Sequence, residues 1–298
     1  MTFLWNSAFA LLVATGALLG LSLPFGRIAT AAGVPAALWA FVISAGAGGV
    51  LLAGILLRGR IIRVTPRRLR YFIISASVSY AAPNLLMFSV MPHLGAGYTG
   101  IMFTLSPLVT LVFSILLGVR RPNAMGIAGV LVGFTGALMV ATTRGEAGAP
   151  ADMFWVVLGL LIPVSLAAGN IYRTIDWPEA TGPIELAAGS HLAAAAMLLA
   201  GLGATSEWSS FALLPNMPWL VAAQVISAAA MVALLFRLQQ VGGPVYLSQI
   251  GYVGAAVALL SGMMFLGESY QWLTWLGAFV IGIGVILTTK AQSDQSSR

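Results

Sequence analysis

Residues 71–119 read YFIISASVSYAAPNLLMFSVMPHLGAGYTGIMFTLSPLVTLVFSILLGV, a stretch of 49 residues without an Asp, Glu, Lys or Arg. A helix rises about 1.5 Å per residue, so about 20 apolar residues cross a hydrocarbon core of about 30 Å. The stretch is long enough for two membrane crossings, and Met91-Pro92-His93-Leu94-Gly95 predicts the turn between them. This segment therefore indicates a chain that folds within a membrane.

The whole chain has the composition of a membrane protein. Of its 298 residues, 59% are hydrophobic and only 7% are charged, against roughly 25% charged in soluble domains. So few charges cannot cover the surface of a soluble protein of this size. The composition excludes a soluble enzyme, a nucleic-acid-binding module and a disordered protein. The absence of cysteine excludes a disulfide scaffold and thiol chemistry.

Eight further uncharged windows hold one span each, which predicts ten transmembrane helices in all. The windows are residues 1–26, 28–57, 122–143, 153–172, 186–206, 208–236, 238–267 and 269–289. Runs such as residues 108–113 and 253–260 lack the alternation of apolar and polar residues that a transmembrane barrel requires, so the predicted fold class is an all-α polytopic membrane protein. The N-terminal segment lacks the basic region of a signal peptide, and we expect the first span to be retained.

The basic residues predict the orientation, because cytoplasmic loops are enriched in Lys and Arg. With ten spans and the N-terminus inside, the outer loops carry only Arg27 and Arg144. The inner loops and the C-terminus carry Arg58, Arg60, Arg63, Arg67, Arg68, Arg70, Arg120, Arg121, Arg173, Arg237, Lys290 and Arg298. We therefore expect both termini in the cytoplasm, with these basic residues fixing the topology and meeting anionic lipid.

Several features of the first half of the chain recur in the second half. Gly95-Ala96-Gly97-Tyr98 is echoed 148 residues later by Gly243-Pro244-Val245-Tyr246, and Leu117-Gly118 is echoed by Leu266-Gly267. The fifth and tenth predicted spans are both rich in glycine, which permits close contact between helices. The shared order and the nearly constant offset predict an internal duplication.

The predicted duplication contains five spans per repeat, an odd number. The first five-helix repeat covers residues 1–145 and the second covers residues 146–298. An odd number of spans makes the second repeat enter the membrane from the opposite side. Inverted repeats of this kind are typical of alternating-access transporters, whose binding site lies near the midplane between the repeats.

Charged residues fall at the ends of the predicted spans, with Arg173 and Glu268 at span ends and Lys290 closing the last helix. No carboxylate pair, metal cluster or nucleophile triad can therefore be assembled at membrane depth, and we expect no enzyme and no cofactor or metal. A retinal Schiff base is excluded, because the only lysine lies at a membrane face. The pattern predicts a central cavity lined by neutral groups.

Span three places Tyr80, Asn84 and Phe88 on one helical face beside Pro83. Proline frees a backbone carbonyl one turn back, which needs a partner or water. The alternatives are a kink sealed by Asn84 against a neighbouring helix and a face that lines a cavity. We expect the cavity-lining face.

Other neutral residues at or near membrane depth complete the candidate substrate site. Tyr98 and Tyr246 are the repeat-related pair, and the alternative for both is an interfacial anchor. For Asn170 and Gln224 the alternative is a hydrogen bond that holds two helices together. The full candidate set is Tyr80, Asn84, Tyr98, Met102, Asn170, Gln224, Tyr246, Gln249 and Tyr252. His191 is a possible proton-sensitive group in span seven, with a structural hydrogen-bonded histidine as the alternative.

Ten spans in two inverted repeats, with Leu266-Gly267-Glu268 followed by the glycine-rich stretch 277–284, resemble the drug/metabolite transporter (DMT) superfamily, EamA type. The resemblance covers essentially the whole chain, and is greatest to the aromatic amino-acid exporters of the YddG type from bacterial inner membranes. It implies a central cavity lined chiefly by spans one, three, four, six, eight and nine. The first repeat departs from the family pattern, because Leu117-Gly118-Val119 lacks the acidic residue.

The resemblance and the neutral cavity together predict a multi-pass secondary transporter of the bacterial inner membrane that exports aromatic or other neutral amino acids. Amide and phenol groups would bind the zwitterion, and Met and aromatic walls would bury its side chain. The alternatives are an exporter of hydrophobic or quaternary cations or other small metabolites, and a channel. The expected partners are a small-molecule substrate and membrane lipids, without nucleic acid, and the expected functional unit is a monomer.

Overall fold

The computed structural model describes residues 7–119, 124–143 and 151–296. Within these ranges the chain is almost entirely helical and contains no strand, as the sequence predicts. The expectations for Arg120, Arg121, Arg144 and Arg298 lie outside the described residues.

The described chain forms ten helical elements, which we number in chain order. They are α1 Ala8–Ala31, α2 Ala36–Leu56, α3 Pro66–Leu94, α4 Ala96–Leu116, α5 Ala124–Thr143, α6 Met153–Ile175, α7 Pro183–Ala204, α8 Pro218–Ser248, α9 Ile250–Leu266 and α10 Trp272–Ser296. A 3₁₀ segment, Glu207–Asn216, joins α7 to α8.

Seven of these helices in the described chain are long and apolar enough to cross a membrane: α1, α2, α3, α4, α6, α7 and the part of α8 from Pro218 to Gly242. The described apolar parts of α5, α9 and α10 are shorter. The chain is thus a multi-pass helical membrane protein.

The turn predicted at residues 91–95 is confirmed. α3 ends at Leu94, and Gly95 adopts a φ of 83°, a left-handed conformation that glycine reaches without steric cost. Gly267 ends α9 in the same way, with a φ of 68°. Both glycines close helices where the sequence places span ends.

The boundary predicted at Arg237 between the eighth and ninth spans is wrong. Helix α8 continues past Arg237 to Ser248. The chain must still reverse within this helix, because the hydroxyl of Ser227 donates to the carbonyl of Leu18 while Val253 packs on Gly16. A straight helix would separate residues 227 and 253 by about 39 Å. A single arginine therefore does not end a helix, and Gly242-Gly243-Pro244 lies where a bend is required.

Helix α1 lies between α8 and α9. Gly16 and Gly20 face Val253, Gly254 and Val257, and a methyl group at either glycine would come within 2.6 Å of a neighbouring atom. The absence of side chains lets the backbones approach closely, as small residues do in membrane helices.

Helices α5 and α10 form a pair whose contact consists of glycine against backbone. A Cβ atom at Gly277 would lie 2.7 Å from the side chain of Val140 and 2.9 Å from the carbonyl oxygen of Gly136. A Cβ atom at Gly284 would lie 2.5 Å from the backbone nitrogen of Gly133. The glycines of the fifth and tenth spans thus serve helix packing, as the sequence predicts.

Substitution of Gly277 by valine should lower stability, because the added atoms have no space against Gly136 and Val140. Overpacking of this kind costs about 1–3 kcal/mol. We expect a lower melting temperature of the detergent-purified protein. Gly282→Val on the same helix is the matched control, since a Cβ atom there has no neighbour within 4 Å. Equal melting temperatures for the two variants would contradict the packing assignment.

Candidate functional site

Eight helices of the described chain enclose a cavity of about 80 Å³. That volume is several times the space that one water molecule needs. The polar residues that line the cavity are Ser22, Ser79, Tyr80, Asn84, Ser106, Asn170, Arg173, His191 and Ser248. Apolar residues, among them Phe103 and Met231, form much of the remaining wall. An apolar cavity with a few polar groups is the usual form of a small-molecule site.

The wall of α3 is built around a π-helical turn, Ala76–Ala81, that ends two residues before Pro83. The hydroxyl of Ser165 on α6 donates a 2.8 Å hydrogen bond to the carbonyl of Val78 within this turn. The turn places Ser79 and Tyr80 in the cavity wall, and Asn84 follows one turn later. Asn84 thus lies on the cavity-lining face of α3, beside a π-turn of the kind that often occurs at functional sites.

Arg173 brings a positive charge to the cavity. Its side chain is on α6, two residues before the helix ends, and is 3% exposed. The guanidinium donates 2.8 Å hydrogen bonds from Nε to Gln239 Oε1 and from Nη2 to Asn170 Oδ1. It also lies 5.7 Å from the centre of the Tyr80 ring, a cation–π distance.

This position corrects two expectations from the sequence. The cavity is not neutral, and Arg173 is not a loop residue that only fixes topology. The physical reason is that helical side chains point back towards the N-terminus of their helix. A long side chain near the end of α6 therefore reaches back into the bundle, where Asn170 and Gln239 receive it.

Several polar atoms at the cavity are buried and have no hydrogen-bond partner among the described residues. They are the hydroxyls of Ser79 and Tyr80 and both ring nitrogens of His191. His191 is 1% exposed, and its ring centre lies 4.0 Å from that of Tyr80. Buried polar groups normally find a partner, so this cluster is suited to bind a polar molecule. A proton-sensitive role for His191 stays a prediction.

The structure brings three of the predicted substrate-site residues, Tyr80, Asn84 and Asn170, together with His191 at the cavity. Gln224 lies behind the wall, fully buried, and donates to the hydroxyl of the lining residue Ser22 at 3.2 Å.

The other predicted residues are not part of the cavity lining, or their side chains lie outside the described residues. Tyr98 donates a 2.9 Å hydrogen bond to the carbonyl of Val140 and so joins α4 to α5. Met102 is buried towards Gly159 of α6. Gln249 occupies the junction of α8 and α9 beside lining residues, and Tyr252 follows it on α9. Tyr246 is in α8, and its side chain lies outside the described residues. Contact of these residues with a substrate stays a prediction.

Sequence reasoning missed Arg173 and the four lining serines. The serines gave no usable signal, because serine also occurs at tight helix contacts. Arg173 did give a usable signal in the sequence, because it stands three residues after Asn170 and both therefore share a helix face.

A second charged cluster lies at the end of the bundle where α1 and α3 finish and α4 begins. Glu268, 5% exposed, accepts hydrogen bonds from the backbone nitrogens of Ala96 at 2.7 Å and Gly97 at 3.0 Å. The Tyr270 hydroxyl also donates to this carboxylate, and Arg27 lies 3.9 Å away. Glu268 therefore joins the loop between α9 and α10 to the first turn of α4 and the end of α1.

The opposite end of the bundle carries an ion pair between the two halves of the chain. Arg70 of α3 bonds Asp176, which follows α6, at 2.7 Å, and the Tyr172 hydroxyl donates to the same carboxylate at 2.7 Å. Partial burial acts to raise the pKa of Asp176. The hydrogen bonds from Tyr172 and Arg70 outweigh this effect and hold the pKa below its usual value.

The fold and the site together describe a multi-pass membrane protein with a polar, positively charged cavity inside its helices. The model of the EamA-like transporter family matches residues 6–142 of this chain. No curated protein matches it. One solved structure, described only as a crystal structure of a protein, is similar at a TM-score of 0.58 and 18% identity, over 93% of this chain and 97% of that one. At that identity the likeness shows a common fold.

Replacing Glu268 by alanine should destabilise the protein, because two backbone N–H groups lose their buried acceptor and Arg27 loses a nearby negative charge. Removing one member of a buried charged cluster costs about 3–5 kcal/mol. We expect a clear fall in the melting temperature in detergent, with a smaller fall for Glu268→Gln, which keeps one acceptor oxygen. Glu179→Ala is the control, because its side chain is 91% exposed and pairs with Arg67 only at 3.9 Å. A Glu268→Ala protein as stable as the control would contradict the assigned role.

Proposed function

We propose that this protein is a secondary transporter of the DMT type, which moves a small organic solute through the cavity by alternating access. The match of residues 6–142 to the EamA-like transporter family supports this proposal. The main observation behind the proposal is the cavity between helices of both halves, because transporters of this architecture bind their substrates at such a place.

The proposal includes two inverted five-helix repeats, residues 1–145 and 146–298. Helix pairing supports it: α5 packs on α10, α2 on α7 and α4 on α9, each helix with its repeat counterpart. The packing of α1 on α8 and α9 is matched by that of α6 on α3 and α4. Gly118 and Gly267, which follow α4 and α9, share positive φ values of 69° and 68°. Each of these features is expected of a duplicated chain.

The direction of the helices supports the inverted relation. The end of α1 lies at Glu268, where Arg27 donates to the carbonyls of Met91 and Pro92. The beginning of α6 lies at the same end, because Trp155 stacks on His93 at 3.8 Å. α1 and its counterpart α6 therefore run in opposite directions, as inversion requires.

The proposed topology has ten spans with both termini in the cytoplasm of a bacterial inner membrane. The described arginines on the Asp176 side of the bundle include Arg67, Arg68 and Arg70, whereas Arg27 lies at the Glu268 end. This asymmetry supports a cytoplasmic Asp176 end.

The proposed substrates are aromatic or other neutral amino acids, exported down their gradient. Tyr80, Asn84 and Asn170 offer polar contacts, and the Met and Phe side chains of the wall suit an apolar side chain. The alternative of hydrophobic cations is weakened, because Arg173 lines the same cavity and repels a positive charge.

Transport in proteoliposomes tests the proposal. Labelled Phe, Trp and Thr should give saturable uptake that excess unlabelled substrate reduces, measured with and without a pH gradient. Asn84→Ala should lower kcat/KM about three- to tenfold through the loss of a neutral hydrogen bond. Asn216→Ala, an exposed asparagine at the end of the 3₁₀ segment, is the matched control.

The absence of saturable flux for every amino acid would refute an amino-acid carrier. Flux that rises linearly to millimolar concentrations would indicate a channel. Equal flux in the Asn84→Ala and Asn216→Ala proteins would remove Asn84 from the substrate site.

A further inference from the structure

We propose that Arg173 binds the carboxylate of the transported molecule, and that the cavity therefore selects organic monocarboxylates whether or not they carry an amino group. This inference rests on the proposed function in one respect, since the occupant of the cavity is taken to be the solute that is carried. It adds the chemical group that is recognised and the residue that recognises it.

The first support is the electrostatic position of Arg173. A guanidinium keeps its positive charge in proteins, and burial of a charge is costly unless it is paired. No described carboxylate lies within 4.0 Å of Arg173. Its partners are the neutral amides of Gln239 and Asn170 and the faces of Tyr80 and Phe236. A carboxylate from solution would complete this environment.

The second support is the hydrogen-bonding capacity that remains. A guanidinium has five N–H donors, and among the described residues Arg173 uses two of its nitrogens, Nε and Nη2. The other donors suit a carboxylate, which arginine binds with two parallel hydrogen bonds. The hydroxyls of Tyr80 and Ser79 add two buried donors without a described partner at the same cavity.

The third support is how firmly Arg173 is positioned. Gln239 Nε2 donates 3.2 Å hydrogen bonds to the carbonyl of Asn170 and to Thr174 Oγ1, while its Oε1 accepts from Arg173. The amide thus fixes the orientation of the guanidinium from α8. A preorganised donor binds its partner with less loss of conformational freedom.

The charge balance of the cavity selects the ligand class. Arg173 is the one charged side chain among its described lining residues. One positive charge matches a monoanionic carboxylate better than a phosphate, which carries nearly two negative charges. An ammonium group meets only neutral acceptors such as Asn84, so the amino group of an amino acid should contribute little to binding.

Competition against labelled phenylalanine in proteoliposomes tests this inference in the wild-type protein. 3-Phenylpropanoate, which lacks the amino group, should compete within about threefold of phenylalanine. Phenylalaninamide and phenethylammonium, which lack the carboxylate, should compete at least about tenfold more weakly, as expected for loss of a charge-assisted pair. Equal competition by the four compounds, or stronger competition by the amines, would overturn the inference.

Variants assign the effect to Arg173. Arg173→Gln should weaken competition by the carboxylates about 10- to 100-fold and leave competition by phenylalaninamide nearly unchanged. Arg173→Lys keeps the charge and should retain part of the preference for carboxylates. Arg63→Gln, which removes an exposed arginine between α2 and α3, is the control. A carboxylate preference that survives in Arg173→Gln would overturn the assignment.

Binding to detergent-purified protein separates this inference from the proposed function. The readout is the shift in melting temperature produced by each of the four compounds. Carboxylate-dependent shifts that Arg173→Gln abolishes, without any flux, would support the inference and refute the transporter. Saturable phenylalanine flux without a carboxylate preference would support the transporter and refute the inference. Neither binding nor flux would refute both.

Discussion

Lipid provides no hydrogen-bond partners, and the fold follows from that constraint. Every backbone N–H and C=O group at membrane depth must be paired inside the protein, which explains why the described chain is almost entirely helical. Polar side chains obey the same rule and bond either to carbonyls of their own helix or to other helices. Where eight helices place such side chains around one space, the result is a polar cavity inside an apolar bundle.

The buried charges of Glu268 and Arg173 are stabilised in different ways within this constraint. Glu268 is satisfied within the protein, because backbone donors of α4, the Tyr270 hydroxyl and Arg27 surround it. Its role is to hold the end of α9 against α4 and α1. Arg173 has only neutral partners among the described residues and faces the cavity. A charge that the fold positions without neutralising is available to a ligand.

The helical content, the break after Leu94 and the use of glycine for helix packing in α5 and α10 were predictable, because composition, a left-handed glycine and small-residue patterns act locally. Tyr80, Asn84 and Asn170 were also within reach, since polarity at membrane depth is visible in the sequence. The charge at the cavity was missed, because counting residues between charges treats Arg173 as the end of a span, although its spacing of three residues from Asn170 places both on one helix face. Its side chain extends back along α6, and only the partners on α6 and α8 show where it ends.

The prediction of a helix boundary at Arg237 was wrong for a related reason. A charged residue at a membrane face is compatible with continued helix, so charge alone does not mark where α8 stops. The contacts of Ser227 and Val253 with the same part of α1 reveal the reversal, and such long-range contacts are absent from local sequence patterns.

The positively charged cavity inside the bundle can be probed directly with thiol reagents, because the chain lacks cysteine. A cysteine at Ser248, in the cavity wall, would be labelled with an anionic sulfonate thiol reagent and a cationic trimethylammonium one. Ser44→Cys, buried outside the lining, is the control. Relative to a free thiol, we expect Cys at 248 to favour the anionic reagent at least about threefold, with the preference lost in Arg173→Gln and the control unreactive. No labelling at 248, or a preference that Arg173→Gln leaves unchanged, would contradict the account.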